Sequence, residues 1–274
     1  MRIKTYALLC IIGMFLAACS HIGDDERFIK VTDASADNKQ PDTTPDEQSA
    51  TTVKNVLLED FTGQKCVYCP KGIAVIEQLE GVYGDRLIAV AIHGGDLGFS
   101  GNASMVGLAT ELGDAYYDYW KLEYQPVGLI DRGTPTELDG WAKAVSDEMA
   151  KQSETKMEAT ATLSGSTVNI TVKEERLGNS YTGKLQVWLL EDGITALQMM
   201  PDGSGNPDFV HNHVLRASVN GVWGEDVALN KGETKTQTLT QTVDEDWKAE
   251  NLSVVAFLYS GKNIEQVVKA KVSK

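Results

Sequence analysis

Residues 66–69 read Cys-Val-Tyr-Cys, set between an apolar run and a helical pattern. No other feature limits the fold of this chain as much. The run before it, residues 53–61 (VKNVLLEDF), is rich in β-branched and large apolar side chains and reads as a buried strand. Thr62-Gly63-Gln64-Lys65 is a turn. Pro70 suits the first turn of a helix, where a missing N–H is no loss. Ile73, Ile76, Leu79 and Tyr83 then recur at helical spacing on one face. Residues 87–92 are a second continuous apolar run. Strand, helix, strand in that order is a βαβ unit, with parallel strands implied.

The start of the chain reads as an export signal, residues 1–18. Arg2 and Lys4 precede an apolar stretch at residues 7–15, and Leu16-Ala17-Ala18-Cys19 brings small residues up to a cysteine. The stretch falls short of the roughly 20 residues a membrane helix needs. Leu16-Ala17-Ala18-Cys19 resembles the bacterial lipobox, which implies acylation of Cys19 and a membrane anchor through that lipid. Residues 19–50 are rich in Asp, Glu, Ser, Thr, Gln and Pro, too polar to offset their conformational entropy by burial, and read as a flexible acidic tether. Asp24-Asp25-Glu26 resembles a surface-export signal of Bacteroidetes lipoproteins, with a plain solvated linker as the alternative. The formal net charge of -14 argues against nucleic acid as a partner and against a basic membrane-binding patch.

Four cysteines occur. Cys10 lies in the signal and Cys19 is the lipid acceptor, which leaves Cys66 and Cys69 to meet an oxidising compartment. A structural zinc site would need a second pair. A static disulfide closing so short a loop would add little stability. A redox pair is the favoured reading and a static disulfide its rival. In the redox reading Cys66, at the helix N-terminus, is the attacking thiol and the more exposed of the two, while Cys69, one turn in, resolves the mixed disulfide. Lys65 and Lys71 either help to stabilise a thiolate or are simply solvated.

Beyond a Gly-rich stretch at residues 93–107, residues 105–120 read as helix, 127–130 as a short strand and 138–152 as helix. From residue 156 the texture changes. Residues 157–163, 167–172, 184–190, 234–243, 252–259 and 264–272 alternate or are β-rich, with turn residues between them, and suggest an antiparallel sandwich. A long irregular region at residues 195–231 interrupts it. The expected division is an α/β domain at 51–154 followed by an all-β sandwich at 155–274.

Asp60-Phe61, then four residues, then Cys66-x-x-Cys69-Pro70-Lys71 resembles the active-site strand, turn and helix of thioredoxin. The resemblance implies that Asp60 is buried and relays a proton to the second cysteine. It also implies a cis-proline loop against the pair, for which Pro126 is the match. Glu59 falls on the opposite strand face. Two departures stand out: Lys65 replaces the family's Trp, and the Pro126 loop arrives late, which implies an inserted segment around residues 93–119. The lipobox, the run Leu58-Glu59-Asp60-Phe61-Thr62-Gly63, and Val210-His211-Asn212-His213-Val214-Leu215-Arg216 together resemble the twenty-eight-kilodalton outer-membrane protein family of Bacteroidetes. That implies an α/β thioredoxin-like domain followed by an immunoglobulin-like sandwich, at the outer membrane on its periplasmic or cell-surface face. It implies no settled activity.

His211 and His213 alternate as on a strand and could share a metal with His93 or an acidic side chain; plain polar strand or loop residues are the blander reading. No cofactor or metal is expected. The expected function is thiol–disulfide exchange on cysteine-containing exported proteins. Its rival is a non-enzymatic surface-binding lipoprotein whose disulfide stays closed. A porin is disfavoured, since few segments carry the long alternation of a lipid-facing barrel.

Overall fold

β1 (Thr52–Val53) and β2 (Val56–Thr62) open the fold of the computed structural model, which describes residues 50–274. The signal, Cys19, Asp24-Asp25-Glu26 and the tether up to residue 49 lie outside the described residues. β2 is buried along its whole length, its two carboxylates included. α1 (Cys69–Tyr83) follows, with Tyr68 at its N-cap and Pro70 in its first turn. β3 (Leu87–His93) returns parallel to β2, in register from Val56 opposite Leu87 to Thr62 opposite His93. The expected βαβ unit is therefore present.

α2 (Glu111–Trp120) begins later than the helical pattern from residue 105 suggests. The residues before it serve tertiary contacts instead: the Leu108 N–H bonds Gln64 Oε1 and the Phe99 carbonyl. Thr110, in extended backbone, accepts from the Gly113 N–H and sets the start of the helix. β4 (Val127–Ile130) runs antiparallel to β2, and α3 (Trp141–Met149) follows.

The remaining chain is nearly all strand. β5 (Gln152–Ser153) pairs with β1. β6 (Thr155–Ser164), β7 (Thr167–Arg176) and β8 (Tyr181–Glu191) follow. β9 (Ile194–Met199) and β10 (Gly205–His211) form a separate hairpin. Then come β11 (Val214–Ser218), β12 (Glu225–Leu229), β13 (Thr234–Thr242), β14 (Leu252–Ser260) and β15 (Asn263–Ser273). The region 195–231, expected to be irregular, thus carries four strands. Their faces are largely polar and half-exposed, so they lack the apolar alternation that marks a strand in sequence.

One sheet runs β13-β7-β6-β15-β14-β8-β11-β3-β2-β4, with β12 added on β8. Pairing is antiparallel except between β2 and β3, β11 and β3, and β15 and β6. The C-terminal half is therefore not a purely antiparallel sandwich, because β15 meets β6 in parallel at its end. β8 and β14 are buried on both faces. Val187, Leu189, Val254 and Ala256 pack against β6 and β7; Trp188, Leu190, Val255 and Phe257 pack against Ile88, Val90, Ile92 and Tyr116. Burial on both sides explains why these strands read as near-continuous apolar runs. A third cluster, including Val56, Leu58, Ile76, Leu79 and Trp141, fills the space between β2, α1 and α3. Each such fully buried side chain contributes about 1.5–3 kcal/mol. The pleat of β2 sends Val56, Leu58 and Asp60 toward α1, and Leu57, Glu59 and Phe61 to the other face.

Candidate functional site

Cys66 and Cys69 lie where β2 hands over to α1, and their sulfurs are joined in a disulfide with Cα atoms 5.4 Å apart. The Cys69 N–H, at the start of α1, donates to Cys66 Sγ at 3.0 Å. The positive end of the helix thus faces the outer sulfur, the arrangement that favours a thiolate there. A Cβ on Gly72 would come within 3.4 Å of Pro126 Cβ, so the first turn of α1 rests against Pro126. The Gln125–Pro126 bond is cis.

Asp60 is fully buried on the α1 side of β2, and neither carboxylate oxygen has a hydrogen-bond partner in the protein. Desolvation pushes its carboxyl up to about 8. Glu59, on the opposite face, is raised to about 7 by burial, and the Arg132 guanidinium 3.6 Å away opposes that rise. Arg132 is itself buried, 4.2 Å over the Tyr259 ring and 4.8 Å over Phe257. Nothing in its local sequence, a lone cation after an apolar strand, signalled this role.

The expected exposure of Cys66 is not found. Only 2% of it is accessible. The β9–β10 hairpin covers the pair: Gln198 Nε2 donates to the Cys66 carbonyl at 2.9 Å, and the Met199 N–H donates to the Gln64 carbonyl at 2.8 Å. Gln64 Nε2 returns a bond to the Leu197 carbonyl at 2.9 Å. From the other side the Lys65 N–H bonds the Leu97 carbonyl. A Cβ on Gly63 would stand 2.4 Å from that carbonyl oxygen, so only glycine permits the approach. Lys65 and Lys71 lie over the rings of Phe99 and Tyr68. If the hairpin gates the disulfide, Gln198→Ala should speed its reduction by dithiothreitol several-fold, with little change in the final potential. Unchanged kinetics, followed by alkylation and mass, would show that the hairpin is no gate.

His211 and His213 do not converge as alternation on one strand suggests. His213 follows β10 in left-handed backbone, at φ 59°, which breaks the alternation. Its Nε2 lies 3.3 Å from Glu80 and its Nδ1 3.4 Å from Asp192. His211 instead packs against His93, with ring centroids 5.4 Å apart. Burial lowers His211 to about 4 and holds His93 well below its ordinary range, with help from His211 and Arg216. Among the described residues, no three His, Cys, Asp or Glu side chains are grouped so as to hold a metal ion.

Fold and site define a mostly β protein with a covered Cys-x-x-Cys disulfide at the start of a helix. The family model described as outer membrane protein Omp28 matches residues 113–274, more than half of the chain, and the chain belongs to that family. Its location is accordingly the outer membrane. The matched span begins after the cysteine pair. HBP35 of Porphyromonas gingivalis has a similar fold, with a TM-score of 0.62 at 16% identity over 80% of this chain and 75% of that one. A protein of Agrobacterium tumefaciens is similar at a TM-score of 0.51 and 12% identity, over 80% of this chain and 94% of its own. A domain of the outer membrane lipoprotein Omp28 from Porphyromonas gingivalis is 31% identical over 44% of this chain and 89% of its own, at a TM-score of 0.34. No curated protein matches the chain.

Proposed function

We propose that this chain is a lipid-anchored outer-membrane protein that exchanges thiols and disulfides with cysteine-containing exported proteins. Its residues 51–154 act as a thioredoxin-like domain and 155–274 as an immunoglobulin-like partner joined to it through one sheet. Cys66 attacks, Cys69 resolves, Asp60 supplies the proton, and Pro126 shapes the groove beside the pair. The anchor is the acyl group on Cys19. The observation that carries this reading is the set of groups gathered around the start of α1 and the strand it packs on. A helix N–H points at Cys66 Sγ, a buried carboxyl with no partner lies on the strand that packs against the helix, and Pro126 packs on the first turn. A purely structural disulfide needs no unpartnered carboxyl on the strand that leads into it, and leaving one buried is costly.

The rival reading, a surface-binding module with a permanently closed disulfide, draws support from the hairpin that covers Cys66. The reduction potential separates the two. Equilibrating the full chain against graded dithiothreitol and glutathione buffers should place the couple between about -180 and -270 mV, the range of exchange proteins. A value below about -300 mV would be that of a static bond and would overturn the exchange reading.

A further inference from the structure

A cavity of about 250 Å³ lies beneath α1. Asp60 and Thr62 of β2 and His93 of β3 form its floor. Glu77 and Glu80 of α1 and the segment from His211 to His213 form its walls. Three of the buried groups around it lack partners in the protein: both oxygens of Asp60, Nδ1 of His93 and Nε2 of His211. Such groups in a folded protein call for an explanation. The cavity presents these polar groups among apolar walls from Ile73, Ile76 and Ala91, and has room for several waters, each occupying about 30 Å³ in the liquid. Its outer end lies at His213, which is partly exposed between Glu80 and Asp192.

We infer that this cavity is the proton path to Cys69, running from solvent at His213 past His211 and His93 to Asp60. The inference rests on the exchange chemistry proposed above and adds residues to it. A dithiol reductant supplies the electrons. One of its thiolates attacks Cys66 Sγ, the bond to Cys69 breaks, and the electron pair leaves on Cys69 Sγ, which takes the proton of Asp60. Solvent then returns a proton to Asp60 through the cavity. The second thiolate of the dithiol displaces Cys66, which takes up a proton in turn. The dithiol ends as a disulfide, the pair ends as two thiols, and the two protons the dithiol shed are the two the pair gains.

Val56, Leu58, Ile76 and Leu79 belong to the apolar cluster packed between β2 and α1 beside the cavity. The charged groups near the path are Glu77 and Glu80 on α1, Asp192 before β9, Lys269 of β15 at 3.9 Å from Asp192, and Arg216 on β11. His213 sits between Glu80 and Asp192 at the rim, while the two buried imidazoles stay neutral near pH 7 and can each accept one proton and pass on another.

The test follows the rate of reduction of the full chain by dithiothreitol from pH 6 to 9, by alkylation and mass. His213→Gly suits the left-handed backbone there and leaves room for an added imidazole. It should slow reduction about fivefold or more near pH 7, change the shape of the pH profile, and recover most of the rate in roughly 100 mM imidazole; these sizes follow the usual range for proton-transfer groups. His211→Phe keeps the ring against His93 without its nitrogens, and should slow reduction similarly with no rescue. Wild-type kinetics and an unchanged pH profile in both variants would overturn the path. So would slowing that imidazole does not reverse in His213→Gly. Failure of the exchange reading is seen separately, in the wild-type potential, because the reduction rate can be measured whatever that potential is.

Discussion

Asp60→Asn should raise the melting temperature at pH 9 by about 10 °C, and change it far less at pH 5. The cause is linkage. Burial raises the Asp60 carboxyl from 3.8 in the unfolded chain to about 8 in the fold. Between those values the folded protein holds a proton that the unfolded chain has released. Stability from this group is therefore full at low pH and is lost as pH rises toward 8, at up to about 1.4 kcal/mol per pH unit. Over the whole window that is on the order of 5 kcal/mol. Glu59, raised from 4.5 to about 7, adds loss in the same direction. The asparagine stays neutral at every pH, so it removes the Asp60 part of the slope. It also buries an NH₂ without a partner, a cost that does not vary with pH. The deciding quantity is thus the difference in slope between the two proteins. A variant whose melting temperature falls with pH as steeply as the wild type's would show that Asp60 is not the buried, protonated group described here. His93 and His211 act at the other end. Their neutral folded forms lose stability as pH falls below about 6.5, so the wild type should be most stable in mildly acidic solution.

The parts of this site that were legible in sequence are local. A seven-residue buried strand, a turn, two cysteines and a proline constrain each other within a few residues, and β2, α1 and the parallel β3 follow from them. Asp60 and Pro126 came from resemblance to thioredoxin, and the fold puts one beneath α1 and the other, cis, against its first turn. The parts that were not legible are tertiary. The cover over Cys66 comes from Gln198, separated from it by 132 positions, through a backbone carbonyl that carries no sequence signal. Local reasoning about a helix end predicts an open sulfur and has no means to see a hairpin laid across it.

The same limit applies to charge. Glu59 and Asp60 are adjacent in sequence but face opposite layers, one toward Arg132 and an aromatic shell, the other toward a cavity ringed by histidines. Neither environment can be read from the strand that carries them. The spacing of His211 and His213 suggested a shared face. The left-handed backbone at His213, just past β10, breaks the alternation, so that His211 on the strand packs against His93 while His213 stays at the rim with Glu80 and Asp192.

Cys69→Ser in the native host should accumulate mixed disulfides between Cys66 and its substrates, while Cys66→Ser should accumulate almost none. The asymmetry follows from position. Cys66 Sγ faces the N-terminal end of α1 and accepts the first N–H of that helix, where a thiolate is favoured. Cys69 is fully buried in the first turn. Without Cys69 nothing inside the protein resolves the bond that Cys66 makes, so adducts persist and appear as higher-mass bands on non-reducing gels. The hairpin adds a second expectation. Because Gln198 holds it over Cys66, the double variant Cys69→Ser, Gln198→Ala should trap several-fold more adduct than Cys69→Ser alone. Equal trapping through both cysteines would mean that the burial described here does not govern access. No adduct from any variant, together with a potential in the static range, would leave the surface-binding reading in place of the exchange one. Adducts from Cys66 alone, increased when the hairpin is loosened, would identify the substrates by mass spectrometry and show the hairpin to be the gate they must pass.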